Sequence, residues 1–512
     1  LSWDVSKVTS MNEMFSADSN QTHNNFNGNI NNWNINSLDG DGLHRMFYYC
    51  KNFDQNINTK DVNIDGIVPY KAWDIGNSDV NTLVFTFRAA EAFNQNLNGW
   101  DTSKITNFKQ VFYGAFNFNN GVNTTTMTWD TSSATTIREI FKDAREFNKD
   151  INTRTVVVGA ETKTYWDTSK VTDMKGAFLN AEKFNQYIGG WDTSNVTNMV
   201  QTFYNARVFN QNINTKYVDD THRWDVSNVT NMSQMFRFAY DFNNGGLSGP
   251  NSQDINTLNS WNVGKVTDMS FLFGNCEKFN QDISNWDVKN VIYMNSMFDV
   301  ARDFNQNIGG WETDSLKNIQ GMFSDANSFN NDKDPGIDNT FNNWNTDKLE
   351  GSLRATFHAC SVFNGDISAW DTSRITNMEA MFMHAHKFNQ DISEWDTSKV
   401  SNMGSMFLNA HSFNQNLVTN ADFWNVSQVS DMSRMFYGES APNEFNGDVV
   451  NWDVRNVTDM SEMFRNCTEF NYDIRGWSIY DGVFLTNIFN DAYKMHAEYA
   501  DDEGDTYDPN FE

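Results

Sequence analysis

The residue after a tryptophan is aspartate eleven times in this chain: Asp4, Asp74, Asp101, Asp130, Asp167, Asp192, Asp225, Asp287, Asp371, Asp396 and Asp453. Glu312 and four asparagines fill most of the remaining positions. Carboxylates that recur at one place repel one another and attract cations or basic groups. Two readings of the column follow. In one it is a ligand-binding ridge, with Asp167, Asp192, Asp225, Asp287, Asp371 and Asp396 as candidate contacts. In the other each carboxylate accepts a local Asx-type bond from the backbone that follows it.

Histidines and cysteines are the other side chains with chemistry. His386 and His411 stand at the same place in successive repeats, His384 lies two residues before His386, and His358 falls one repeat earlier. Imidazoles so spaced suit a metal ion. They read instead as solvated histidines on a variable face, and no metal site is assigned. Cys50, Cys276, Cys360 and Cys467 each occupy a slot that holds alanine in other repeats. Even Cys276 and Cys360 are three repeats apart, roughly 14 Å at strand spacing. A disulfide needs its Cα atoms within about 7 Å. Four buried thiols are expected, with no disulfide and no zinc. There is no phosphate loop, no nucleophile elbow and no metalloprotease His pair, so no catalytic residue, enzyme activity or cofactor is assigned.

The elements that would position these residues are set by repetition. Seventeen tryptophans divide the chain, and their shortest spacing, 25 residues, occurs five times. Every repeat carries a Phe 12–14 residues after its Trp. A second Phe follows in sixteen of the seventeen repeats, and Asn comes after it everywhere except at Phe53-Asp54. A period this regular predicts a solenoid in which each repeat buries an apolar edge against its neighbours.

Within a repeat, I-x-x-W-D-V/T alternates and predicts a short parallel strand. V-T-x-M-x-x-M-F-x-x-A, as in Met378, Met381, Phe382 and Ala385, places apolar residues at +3, +4 and +7. That spacing predicts a short helix or 3-10 turn. Trp191, Trp286, Trp395, Phe203, Phe298 and Phe407 are expected in the core. Asn280 and Asn389 are expected as rungs of a side-chain ladder that satisfies turn backbone. The fold class is therefore an α/β repeat solenoid of about 17 coils of ~25 residues, continuous over 1–500, followed by an acidic tail at 501–512.

Three insertions begin alike: INTKDVNIDGIVPYKAW, INTRTVVVGAETKTYW and INTKYVDDTHRW. The second alternates about a central Gly-Ala-Glu and predicts a β-hairpin. Insertions in repeat arrays gather on one face, often the binding face. Arg154, Glu161, Lys163, Tyr165, Tyr217, Asp219 and Asp220 are the candidate loop contacts. Sequons at Asn195, Asn228 and Asn456 fall out of the repeat register, and carry no evidence of glycosylation.

The phrase W-D-[VT]-S-x-V-T-x-M-x-x-M-F-x-x-A-x-x-F-N-Q-D-I resembles the BspA-like surface-protein repeat. It is most similar to the 25-residue branch found in mycoplasma surface lipoproteins. The resemblance covers nearly the whole chain. It implies a leucine-rich-repeat-like solenoid, cell-surface or secreted, that mediates adhesion or binds proteins. No lipobox Cys or wall-sorting signal is visible here, and Asn, Met and Phe replace much of the usual Leu.

Composition narrows the partners. The 512 residues carry a net charge of −29 and are 15% aromatic, which excludes a disordered chain and disfavours nucleic acid. No apolar run is long enough for a transmembrane helix. The expected function is non-enzymatic adhesion or recognition of a protein or glycan at the cell surface or outside the cell. The alternative is a structural subunit of an extracellular filament, sheath or virion fibre, built by end-to-end stacking of copies of the chain.

Overall fold

A computed structural model describes residues 3–17, 25–63, 68–218, 221–246, 258–332, 341, 343–419 and 423–495. The chain divides into two compact units, 1–265 and 266–512. Both are tandem repeats with short strands. In order these are β1 (Asp39–Gly40), β2 (Lys60–Val62), β3 (Tyr70–Ala72), β4 (Asp79–Val80), β5 (Arg154–Val158), β6 (Glu161–Tyr165), β7 (Lys216–Val218), β8 (Thr221–Arg223), β9 (Gly351–Ser352) and β10 (Ile375–Asn377).

The aromatic columns form the core. Trp191, Trp286, Trp395, Phe203, Phe298 and Phe407 are all buried. Indoles of successive repeats stack, as at Trp100–Trp129 with 6.3 Å between centroids and at Trp311–Trp344 with 6.2 Å. The two Phe of one repeat stack more closely, at 3.7 Å for Phe112–Phe118 and 3.9 Å for Phe407–Phe413. Tryptophan suits this position because in most repeats its N–H finds an acceptor one repeat back; Trp33, Trp224 and Trp424 are exceptions. Trp191 Nε1 donates to the Ile151 carbonyl at 2.8 Å, and Trp395 Nε1 to that of Ile367 at 3.2 Å.

The asparagine rungs are present in both units; in unit 1 the Asn148 side-chain oxygen accepts the Asn185 N–H at 3.0 Å. The Asn280 side-chain oxygen accepts the backbone N–H of Asn305 at 2.9 Å, and Asn389 does the same for Asn414 at 2.9 Å. Each oxygen also takes an amide hydrogen from the following Gln, Gln306 or Gln415, at 2.8 Å. The rung is thus side chain to backbone, with turn donors satisfied one repeat on.

Two local expectations are corrected. Most parallel bridges lie in V-T-x-M, at the residue before Met or its replacement, and among the described residues none lies within I-x-x-W-D-V/T; Thr126–Asp150 is a further one in unit 1. In unit 1 they run Thr82–Asn107–Thr136–Asp173–Asn198–Asn231, with β1 and β4 paired in parallel. In unit 2 they run Asp268–Tyr293–Asn318 and Asn377–Asn402–Asp431–Asp459–Phe484, with β9 and β10 paired in parallel. The I-x-x-W segment is a turn: Trp191 N–H bonds to the Ile188 carbonyl at 3.0 Å and Trp286 N–H to that of Ile283 at 3.1 Å.

The Met-to-Ala segment is a run of turns, not a helix. Thr202, Tyr204 and Ala206 donate three residues back, to Met199, Gln201 and Phe203. Met199, Gln201, Phe203 and Asn205 donate instead to Asn231, Ser233, Met235 and Arg237 in the next repeat. Alternate N–H groups are therefore spent on the neighbour, and no i→i−4 ladder can form. The inward residues keep the +3, +4, +7 spacing that suggested a helix. The geometry demands left-handed backbone at two places per repeat, such as Gln201 (φ 58°) and Asn205 (φ 53°). The second place is mostly Asn, Asp or Gly, which adopt it most easily; among the exceptions Val300 (φ 58°) in unit 2 is β-branched.

The three related insertions all form antiparallel hairpins, β2–β3, β5–β6 and β7–β8, in unit 1. Each separates Ile from Trp, so the usual Ile–Trp turn cannot close. The Trp responds alike in all three. Trp73, Trp166 and Trp224 take φ of 51°, 49° and 51°. Their N–H groups bond to the carbonyls of Trp33, Trp129 and Trp191 at 3.1, 2.9 and 2.8 Å. Thr59, Thr153 and Thr215 hydroxyls hold the Trp carbonyls at 2.7, 2.6 and 3.0 Å. After two hairpins a glycine precedes the next Trp because its N–H meets the hairpin Asn, Gly99 to Asn58 at 2.7 Å and Gly190 to Asn152 at 2.9 Å. A Cβ at either glycine would lie 2.7 Å from that amide oxygen.

Candidate functional site

Hairpin β5–β6 and the two repeats before it line an open cleft of about 310 Å³. Its lining joins the two features singled out in the sequence. Glu161, Lys163 and Tyr165 come from the hairpin, and Asp101 and Asp130 from the aspartate column. The hairpin register sets Lys163 opposite Val156 and Tyr165 opposite Arg154. Arg154 is bound to Asp150 at 2.9 Å and lies 5.7 Å from the Tyr165 ring centroid. That pair holds the base of the hairpin. Lys163 Nζ lies 3.9 Å from Glu161.

The aspartates are pre-set by their own turns. Asp101 and Asp130 each accept a backbone N–H two residues on through Oδ1, from Ser103 at 3.1 Å and Ser132 at 2.9 Å. One oxygen of each carboxylate is thereby fixed, which orients the other. Three carboxylates and one lysine line the cleft, with Thr128 and Asn98 supplying neutral polar groups. A cleft of this kind accepts hydroxyl or ammonium donors around an aromatic edge.

The same local turn recurs along the column. Asp167, Asp192, Asp225, Asp371 and Asp396 accept from Ser169, Ser194, Ser227, Ser373 and Ser398 at 2.8–3.0 Å. Asp287 accepts from Lys289 at 3.4 Å and is paired with its ammonium at 3.0 Å. Asp287 and Asp371 are exposed, whereas Asp167, Asp192, Asp225 and Asp396 are half-buried. The inward Thr two residues after the Trp stitches repeats together: Thr168 donates to the Asp192 carbonyl at 2.9 Å and Thr193 to that of Asp225 at 2.7 Å. Tyr217 lies in β7, and Asp219 and Asp220 fall outside the described residues.

Unit 2 has its own cleft, of about 430 Å³, with Asp391, Glu394, Val418 and Phe423 among its lining. It also gathers its histidines. The rings of His358 and His384 lie 5.9 Å apart, those of His384 and His386 6.1 Å, and those of His386 and His411 4.9 Å. Burial, aided by the neighbouring imidazoles, pushes the pKa of His384 and His411 down. His358, hydrogen-bonded to Asp325, pulls that carboxyl down.

One surface in unit 1 was not anticipated. The Arg45 guanidinium lies over the Tyr48 and Phe85 rings, and Arg88 and Lys142 flank Tyr113, each at 4.5 Å. Its signal in the sequence was weak, one basic or aromatic residue per repeat at outward positions. The cysteines are buried thiols, and burial pushes the pKa of Cys50 up to about 12. The sequon amides are structural: Asn195, Asn228 and Asn456 donate to the carbonyls of Ser169, Ser194 and Ser427, all at 2.7 Å. Among the described residues no helix is long and apolar enough to cross a membrane.

The family described as "Mycoplasma protein of unknown function, DUF285" matches at residues 1–66, 60–163, 157–254, 246–340, 335–422 and 418–503. Each match after the first spans three tryptophans. No curated protein matches the chain.

Proposed function

Because the chain belongs to this DUF285 family of mycoplasma proteins, whose function is unknown, we propose that it is a non-enzymatic recognition protein of the BspA-like type. On this reading its repeats form a leucine-rich-repeat-like solenoid displayed at the cell surface or secreted, and it binds a protein or glycan. The observation that carries the reading is the cleft beside β5–β6. There an interruption of the repeat meets the aspartate column and borders an open cleft whose volume suits one or two sugar rings or a single long side chain. Binding groups held by a rigid scaffold keep the ordering entropy of recognition low.

Arrays of immobilised glycans and of basic peptides test this. The wild-type chain is expected to retain at least one ligand. Asp101→Asn with Asp130→Asn, or Tyr165→Ala alone, should weaken that binding by about tenfold or more. Ligand binding untouched by all three substitutions would remove the cleft from the account.

A further inference from the structure

We infer that His386 and His411 form a surface site for a divalent transition-metal ion of the zinc, nickel and copper class. The inference does not depend on the recognition reading. The two rings are nearly parallel, with 8° between planes and 4.9 Å between centroids. Nδ1 of His386 lies 2.9 Å from the Asn409 carbonyl oxygen, and Nδ1 of His411 lies 3.1 Å from that of Pro442. A carbonyl only accepts, so each Nδ1 must carry the proton. In the neutral ring the lone pair then sits on Nε2. A backbone carbonyl that fixes one ring nitrogen and leaves the other to a metal is the usual outer support of a histidine ligand.

His384 is wired the other way. Its Nδ1 lies 3.2 Å from the Asn409 amide nitrogen, which donates. Its lone pair is used, so it is a neighbour of the site and not a ligand. Among the described residues no group of three or more His, Cys, Asp or Glu converges, so water would complete the coordination. Two nitrogens on a tetrahedral ion stand roughly 3.4 Å apart at ordinary Zn–N lengths. The stacked rings direct their Nε2 lone pairs side by side, so binding requires each half-buried ring to tilt toward the other until both point at one ion. The chain's −29 charge favours cations generally. Imidazole nitrogen selects the zinc, nickel and copper group over calcium or magnesium.

Calorimetric titration of the full chain with zinc chloride at neutral pH tests the site. Saturable zinc binding is expected. His386→Gln with His411→Gln should weaken it by about tenfold or more, and mild acid should abolish it because protons compete for Nε2. His384→Gln should leave it within about twofold, since that ring donates nothing to the metal. Thermal unfolding of each variant separates a lost site from a lost fold. No saturable binding by the wild-type chain, equal binding by a folded double variant, or a His384→Gln loss as large as that of the pair would each overturn the inference.

Discussion

The two units build the same core and differ in what interrupts it. Unit 1 carries three hairpins of common design, each forcing a buried Trp into left-handed backbone. Unit 2 has no antiparallel hairpin among its described residues, and its distinguishing side chains are four histidines in contact across successive repeats. The columns of Trp, Phe and Asn are common to both. What is repeated is therefore packing, and what is particular to one unit is a surface.

The largest expected effect tests whether the cores are equivalent. Trp191→Ala in unit 1 and Trp395→Ala in unit 2 each remove a buried indole and its hydrogen bond. Each should destabilise its unit by about 3–5 kcal/mol in urea unfolding followed by circular dichroism. A small loss in one unit only would break the equivalence.

Next comes the ladder. Asn389→Ala removes the side-chain acceptor of the exposed Asn414 N–H and the part-buried Gln415 amide, and should cost about 0.5–1.5 kcal/mol. Asn389→Asp, which keeps the acceptor, should recover part of it.

A change of opposite sign is expected at Val300, a β-branched residue held at φ 58° where most other repeats have Asn, Asp or Gly. Val300→Asn should stabilise unit 2 by about 1 kcal/mol, read as a higher urea midpoint.

The smallest effect is pH dependence. His384 and His411 have pKa values lowered from 6.5 in the folded chain. The unfolded chain therefore binds more protons between the lowered values and 6.5, and stability falls as pH drops through that window. His384→Gln with His411→Gln should flatten this dependence in unit 2, measured as the unfolding midpoint against pH, without altering that of unit 1.

The core was legible because inward positions repeat in register: Trp286, Phe298 and Asn280 take the roles their spacing implies. The hairpin at 154–165 was legible from its alternation. The helix was misread because a run of i→i+3 turns puts Met294, Met297, Phe298 and Ala301 inward at the same intervals as a helix would. Sequence spacing does not reveal that every second N–H goes to another repeat. The strand was misplaced for a related reason, since Trp-in and Asp-out alternation arises equally from an Asx turn. Asp101 and Asp130 were visible as members of a column. Which of its members share a cleft with β5–β6 is a tertiary fact. The contact between His386 and His411 likewise follows from stacking distance and the rotamers that their carbonyl partners impose.

The central claim is that the columns hold the fold while the β5–β6 interruption carries binding. Removing residues 154–164 and joining Thr153 to Tyr165 tests it, with ligand binding and the unfolding midpoint measured on the same protein beside Asn389→Ala. The account predicts that the hairpin deletion loses binding with little change in midpoint, while Asn389→Ala lowers the midpoint and keeps binding. Retained binding after the deletion, or collapse of unit 1 without the hairpin, would contradict it.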